Sequence, residues 1–276
     1  MHPRLRRIFE QSVEVFRSDP RVVAAWMFGS AGKETEDAFS DVDPVFLVRD
    51  EHFDAVHREL HSIFSRLCPE IVLWWNEGYN DDVKNYAILY DVGDELLQYD
   101  VDIMKESTLM NSFGRIFWRA CRPEQILFDK AGALTAAVKA KVPESYSPER
   151  LRWMIERYWL FAFIEVKYLC RKDLYKLLYA QGVMFDTHMQ VLHALHKDAD
   201  WSWWAQSVKR YLPKGKQGEL LAYFGATDVP AIIAAQRREI DAFAADARAA
   251  CQAWSVEYPE LLEARVREHI ARHVQG

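Results

Sequence analysis

The sequence predicts an α/β (α+β) fold in two parts: an N-terminal domain with a small mixed β-sheet and flanking helices, then a C-terminal all-α helical bundle. Three observations carry this prediction. Short β-branched and aromatic runs alternate with amphipathic stretches up to about residue 105, the pattern becomes almost purely helical after Pro148, and the charge balance changes sign between the halves. Residues 1–145 hold 17 basic and 25 acidic side chains, whereas 146–276 hold 18 and 16. The proline-bracketed polar segment Pro143 to Pro148 marks the boundary, giving domains 1–145 and 146–276.

Taken in order, Arg4 to Arg17 has helical spacing (Leu5, Ile8, Phe9, Val13, Phe16) and stops at Ser18-Asp19-Pro20. Arg21 to Phe28 reads as a buried strand that ends at Gly29-Ser30. A polar stretch runs through Ser40, and strand character resumes over Val42 to Val48. Asp50 to Arg66 is an amphipathic helix whose His57/His61 pair is expected in solvent. Ile71 to Trp75, Asn85 to Tyr90 and Leu96 to Met104 are further strands. In the second half, Leu151 to Arg171, Leu174 to His196, Trp203 to Leu212, Val229 to Val256 and Pro259 to His273 fit helices. Breaks are expected at Ala199-Asp200, Pro213 to Gly218 and Gly225 to Pro230.

The composition excludes several classes. With 276 residues, 28% charged and only 11 glycines and 10 prolines, the chain is neither low-complexity nor disordered. A net charge of −6 provides no overall basic field for nucleic acid, which is therefore not an expected partner. Cys68, Cys121, Cys170 and Cys251 are spaced for neither a metal nor a disulfide framework, so they read as thiols of a reducing, cytoplasmic compartment. No apolar run is long enough for a membrane span.

The chemistry concentrates around Met27-Phe28-Gly29-Ser30 and Asp41-Val42-Asp43. Carboxylates at i and i+2 of a strand share a face at roughly 7 Å, and hard oxygen ligands of this kind suit Mg²⁺ in the company of phosphates. Gly29 permits close backbone approach to a phosphate, and the Ser30 hydroxyl and neighbouring N–H groups can bond its oxygens. A third acid is available from Leu97-Gln98-Tyr99-Asp100-Val101-Asp102-Ile103, where Asp100 and Asp102 share a face. Lys33 in the following loop is a phosphate candidate. So are cations of the helical half, Lys167, Arg171, Lys172 and Lys176, with Lys214 and Lys216 less well placed. Trp74, Trp75 and Tyr79, with Trp153, Tyr158, Trp159, Trp201, Trp203 and Trp204, offer either core packing or a stacking surface; Trp153 and Trp159 sit in a run that reads as a buried helix. Glu165, in the same apolar run, is either a buried acid facing a cleft or a paired surface residue.

The pattern apolar-Gly-Ser, spacer, Asp-apolar-Asp, then a strand-borne acid resembles the nucleotidyltransferase superfamily that includes DNA polymerase β. Within it, Ser18 to Ser30 and Phe39-Ser40-Asp41-Val42-Asp43 are most similar to the antibiotic (lincosamide and aminoglycoside) nucleotidyltransferases with a helical C-terminal domain. The likeness is good over about the first 105 residues. It implies that Asp41 and Asp43 bind Mg²⁺, that Ser30 and Ser40 contact the nucleotide phosphates, and that Asp100 is the third acid and proton acceptor, with Asp102 as the alternative. Relatives often carry Glu at that third position. The implied activity is transfer of a nucleoside monophosphate, AMP from ATP, to a hydroxyl of a small molecule. A protein or RNA acceptor and a non-catalytic nucleotide-binding module are the competing readings. Whether the chain acts as a monomer or a homodimer is open in the sequence.

Overall fold

The computed structural model describes residues 1–28, 41–93, 95–111, 113–118, 121–140, 147–196, 204–225 and 228–274. The chain divides into two compact units, Met1–Pro143 and Glu144–Gly276. The first is a six-stranded mixed sheet in the order β3-β4-β5-β2-β1-β6, and the second is helical. Among the described residues, no helix is long and apolar enough to cross a membrane.

Helix α1 (Pro3–Ser18) starts where Pro3 supplies a preset φ and His2 Nδ1 accepts the Arg4 N–H. Its buried stripe, Leu5, Ile8, Val13 and Phe16, lies on the sheet, and the Phe16 ring sits 4.1 Å from that of Phe46. At the Asp19-Pro20 turn, Arg21 bonds both Asp19 and Glu59, tying the start of β1 (Val22–Phe28) to α2 (Phe53–Leu67). β1 is nearly all buried because both of its faces are covered. Val22, Ala25 and Met27 join the core beneath α1 and α2, while Val23, Ala24 and Trp26 join a second core with Phe117, Trp118, Leu134 and Val138. The Trp26 indole donates to the Phe117 carbonyl at 2.7 Å.

β2 (Asp43–Val48) pairs antiparallel with β1 and parallel with β5 (Leu96–Lys105). β3 (Ile71–Asn76) and β4 (Val83–Asp91) complete an antiparallel meander with β5. Three elements of this unit were not anticipated: α3 (Gly114–Trp118), the edge strand β6 (Ile126–Asp129) and α4 (Ala133–Ala140). All are eight residues or shorter, too short for a period of 2 or 3.6 to declare itself. His57 also departs from expectation. It is half-buried, its Nε2 bonded to the Tyr86 hydroxyl at 2.7 Å, while His61 is exposed against Trp74.

In the second unit, Ser147 caps α5 (Pro148–Arg171), which ends at Lys172 with a left-handed φ of 53°. Asp173 then caps α6 (Leu174–Leu195). The helices α7 (Trp204–Tyr211), α8 (Lys214–Leu221), α9 (Val229–Trp254) and α10 (Glu260–His273) follow. The expected break at Pro213 to Gly218 is instead a helix start. Pro213 occupies the cap position, and Lys216 holds both Glu219 (2.7 Å) and Asp246 of α9 (3.0 Å), which outweighs the helix cost of Gly215 and Gly218. The expected break at Ala199-Asp200 lies outside the described residues; that at Gly225 to Pro230 overlaps the start of α9 at Val229, where Pro230 sits in the first turn, with residues 226 and 227 outside the described residues. Trp153 and Phe163 are exposed rather than core, whereas Trp159 is fully buried and donates to the Tyr258 hydroxyl. The centre holds Tyr158 stacked on Phe243 at 3.4 Å.

Two acids are sealed into this bundle. Glu165 of α5 accepts from Gln236 at 2.7 Å, Glu239 of α9 is contacted by Gln181, and each keeps one oxygen without a hydrogen-bond partner. Burial pushes Glu165 up to about 7; burial and then the Glu165 charge push Glu239 up to about 8. Both values lie above that of an unfolded carboxyl, so the stabilisation they give is complete in acid and is lost as pH rises through 7 to 8. Replacing Glu239 with Gln is therefore expected to stabilise the protein at pH 8.5 by a few kcal/mol, at roughly 1.4 kcal/mol per pKa unit, and to have little effect at pH 4.5. Chemical denaturation at the two pH values checks this.

Candidate active site

β1 leads toward the segment 29–40, and the chain returns at Asp41, two residues before the first pair of the β1–β2 ladder, Phe28 opposite Asp43. The parallel partner β5 brings its own acid alongside: the Asp100 N–H donates to the Val42 carbonyl at 2.8 Å. Backbone pairing thus places Asp41, Asp43 and Asp100 around one point, with one carboxylate oxygen of each within 4.8 Å of the others. All three are half-buried.

The electrostatics follow from that crowding. Asp43 is pushed up to about 9, first by burial and then by the charges of Asp41, Asp100 and Asp102. Asp100 rises to about 6, with burial ahead of the Asp41 and Glu77 charges, and Asp41 is raised by burial. Gln98, two residues before Asp100 on the same strand face, donates to its Oδ2 at 2.8 Å, while Oδ1 is buried without a partner. These are acceptor atoms with a shortage of donors, the condition under which a hard divalent cation is favourable.

Asp102 has a different setting. It is 3% exposed, lies one pair deeper opposite Val45 and Asn85, and accepts from Asn85 Nδ2 at 3.1 Å. Burial pushes it up to about 8. The geometry therefore groups Asp100, rather than Asp102, with Asp41 and Asp43. Gly29, Ser30, Lys33 and Ser40 lie outside the described residues, as do Trp201 and Trp203. Arg171 is exposed at the end of α5, and Lys176 lies 2.9 Å from Asp173 in its own helix. Lys216 is committed to Asp246 and Glu219, and Glu165 to the bundle core.

Sequence reasoning passed over Gln98, Asn85 and Glu77. Gln98 had a usable signal, since i and i+2 on a strand share a face. Asn85 and Glu77 reach the site only through strand register.

Comparison with known proteins then bears on this geometry. The sequence profile of the family described as Streptomycin adenylyltransferase matches residues 5–273, nearly the whole chain. The protein belongs to the streptomycin adenylyltransferase family. It is accordingly an adenylyltransferase, a nucleotidyl-transferring enzyme of the antibiotic-modifying kind that the Gly-Ser and Asp-x-Asp pattern resembled. Comparison with curated proteins gives no match. Among solved structures, the crystal structure of an aminoglycoside 6-adenyltransferase from Bacillus subtilis is similar at 13% identity and a TM-score of 0.45, with all of both chains covered.

In this adenylyltransferase, mutual repulsion at the acid cluster costs stability whenever no cation balances it. Asp43→Asn is expected to raise the melting temperature at pH 8 in excess EDTA by roughly 2–4 °C for each kcal/mol of burial and repulsion cost relieved. The gain should vanish below pH 4, where all the carboxylates are protonated. Differential scanning calorimetry at both pH values reads it.

Proposed function

We propose that the chain transfers AMP from ATP to a hydroxyl of a cationic, polyhydroxylated antibiotic of the aminoglycoside type, releasing pyrophosphate. The observation that carries this reading is the convergence of Asp41, Asp43 and Asp100 in a chain of this family. The donor set fits Mg²⁺: three carboxylates supply hard oxygens, and the buried Asp100 Oδ1 has no other partner. Asp41 and Asp43, completed by Asp100, would hold the ion, which when bound supplies charge neutralisation for the triphosphate and the departing pyrophosphate.

The chain's own residues supply positioning and proton transfer. Gln98 fixes the Asp100 carboxylate through Oδ2 and so orients the group that accepts the hydroxyl proton. A positioned carboxylate within reach of the acceptor hydroxyl is the kind of group that serves as a general base. As the proton moves to Asp100, the acceptor oxygen bonds the α-phosphorus and the bond to the bridging oxygen of pyrophosphate breaks. Asp102, sealed beside Asn85, stands back from the cluster and does not meet substrate. Gly29, Ser30, Ser40 and Lys33 are the proposed phosphate contacts. A non-catalytic module would have no use for three unbalanced carboxylates.

Pyrophosphate release from ATP with streptomycin and related aminoglycosides tests the reading. Asp100→Asn should lower kcat by ~10²–10⁴-fold, the usual worth of a general base, while ATP still binds. Asp41→Asn and Asp43→Asn should abolish both turnover and the Mg²⁺-dependent rise in melting temperature. Absence of turnover with every acceptor, together with an Mg²⁺ response unaffected by these substitutions, would refute it.

A further inference from the structure

The sheet face that bears Asp100 continues outward over β4 and β3 and stays open. In the register of the meander, Asp100 lies opposite Ala87 and Ala87 opposite Trp75, so the three side chains stand in one row on the same face. The next row inward holds Asp102 opposite Asn85, whose carbonyl accepts the N–H of Glu77. The next row outward holds Gln98, Leu89 and Leu73. Trp74 points the other way, packed against the core under α2, which leaves Trp75 52% exposed on the acid-bearing face.

Two strand spacings separate the Trp75 and Asp100 backbones, ~10 Å, and only the methyl of half-buried Ala87 rises between them. The result is a trough floored by alanine, with an indole on one side and the carboxylate of Asp100 on the other. Glu77 stands at its inner end. Asn76 Oδ1 accepts the Gly78 N–H at 2.6 Å, and Gly78 takes φ +67°, a left-handed turn that carries Glu77 out of the strand into solvent. The Tyr79 ring rests on Phe113 and Phe117. The Glu77 charge is felt at both Asp100 and Asp102.

We propose that this trough is the acceptor subsite: a ring of a polyhydroxylated cation lies over Ala87 against the Trp75 indole, a hydroxyl toward Asp100 and an ammonium or guanidinium group toward Glu77. The inference rests on the adenylyl-acceptor reading above and adds the residues that select the acceptor. The face of an indole attracts a cation and packs on the C–H face of a sugar ring. A carboxylate such as that of Glu77 pairs with a guanidinium through two parallel hydrogen bonds. An anionic occupant is disfavoured, since the Glu77 and Asp100 carboxylates would repel it, so the trough is unsuited to the triphosphate itself.

Calorimetric titration of streptomycin into the full-length protein, with EDTA and without ATP, separates acceptor binding from catalysis. Trp75→Ala and Glu77→Gln are expected to weaken binding at least tenfold, and Ala87→Leu, which fills the trough, to abolish it. Trp75→Phe, retaining an aromatic face, should recover most of the affinity; unchanged circular dichroism and melting profiles would establish that each variant folds. In turnover assays the same substitutions should raise the KM for streptomycin and change the KM for ATP less than twofold. If wild type binds and adenylylates streptomycin but all three substitutions leave its affinity within twofold, the subsite is wrong while the activity stands. If wild type shows neither binding nor pyrophosphate release, the activity reading on which the subsite rests fails first.

Discussion

Repulsion among carboxylates that cannot move apart governs the first unit. Asp43 is anchored by the β1–β2 ladder and Asp100 by its N–H bond to the Val42 carbonyl, so neither can relax without breaking sheet hydrogen bonds. Burial removes the water that would otherwise screen them. The surrounding structure serves to hold this arrangement: Arg21 clamps β1 to α2, two cores cover the two faces of β1, and Trp26 locks this strand to the α3 segment. The acid cluster is thus kept electrostatically unsatisfied by a rigid frame, at a cost in stability.

The second unit handles buried charge in another way. His188 lies 2.8 Å from Asp246, which in turn meets Lys216; the other ring nitrogen meets the Tyr223 hydroxyl, and Tyr223 meets Tyr158. Burial lowers the His188 pKa, so the neutral ring donates from Nε2 to Asp246 and accepts at Nδ1 from Tyr223. Each member has a partner, and the charges of Lys216 and Asp246 cancel. Glu165 and Glu239 lack such a cation and are held by glutamines, which is why burial moves them toward the neutral form.

Much of the first unit was legible because its strands are long enough to show composition and its acids sit at fixed spacing. Asp41, Asp43 and Asp100 could be picked from pattern and resemblance; that Asp102 turns inward to Asn85 could not, since both acids of β5 share parity and only the depth of the row distinguishes them. β6 and α8 were missed for opposite reasons. β6 has only four residues, and α8 carries two glycines behind a proline whose break signal is overridden by the Lys216 contacts. Trp153 was assigned to a buried helix face because its neighbours are aromatic, yet the helix rotates it into solvent.

The parallel contact between β2 and β5 has a consequence for how the enzyme comes into being. More than fifty residues separate the two acid-bearing segments, and parallel strands cannot be joined by a tight turn, so α2 and the β3–β4 meander supply the crossover. Until β5 docks, Asp41 and Asp43 are an ordinary pair of solvated carboxylates. The cluster is thus complete only once this long-range pairing has formed, and affinity that needs all three acids arises with it rather than before it.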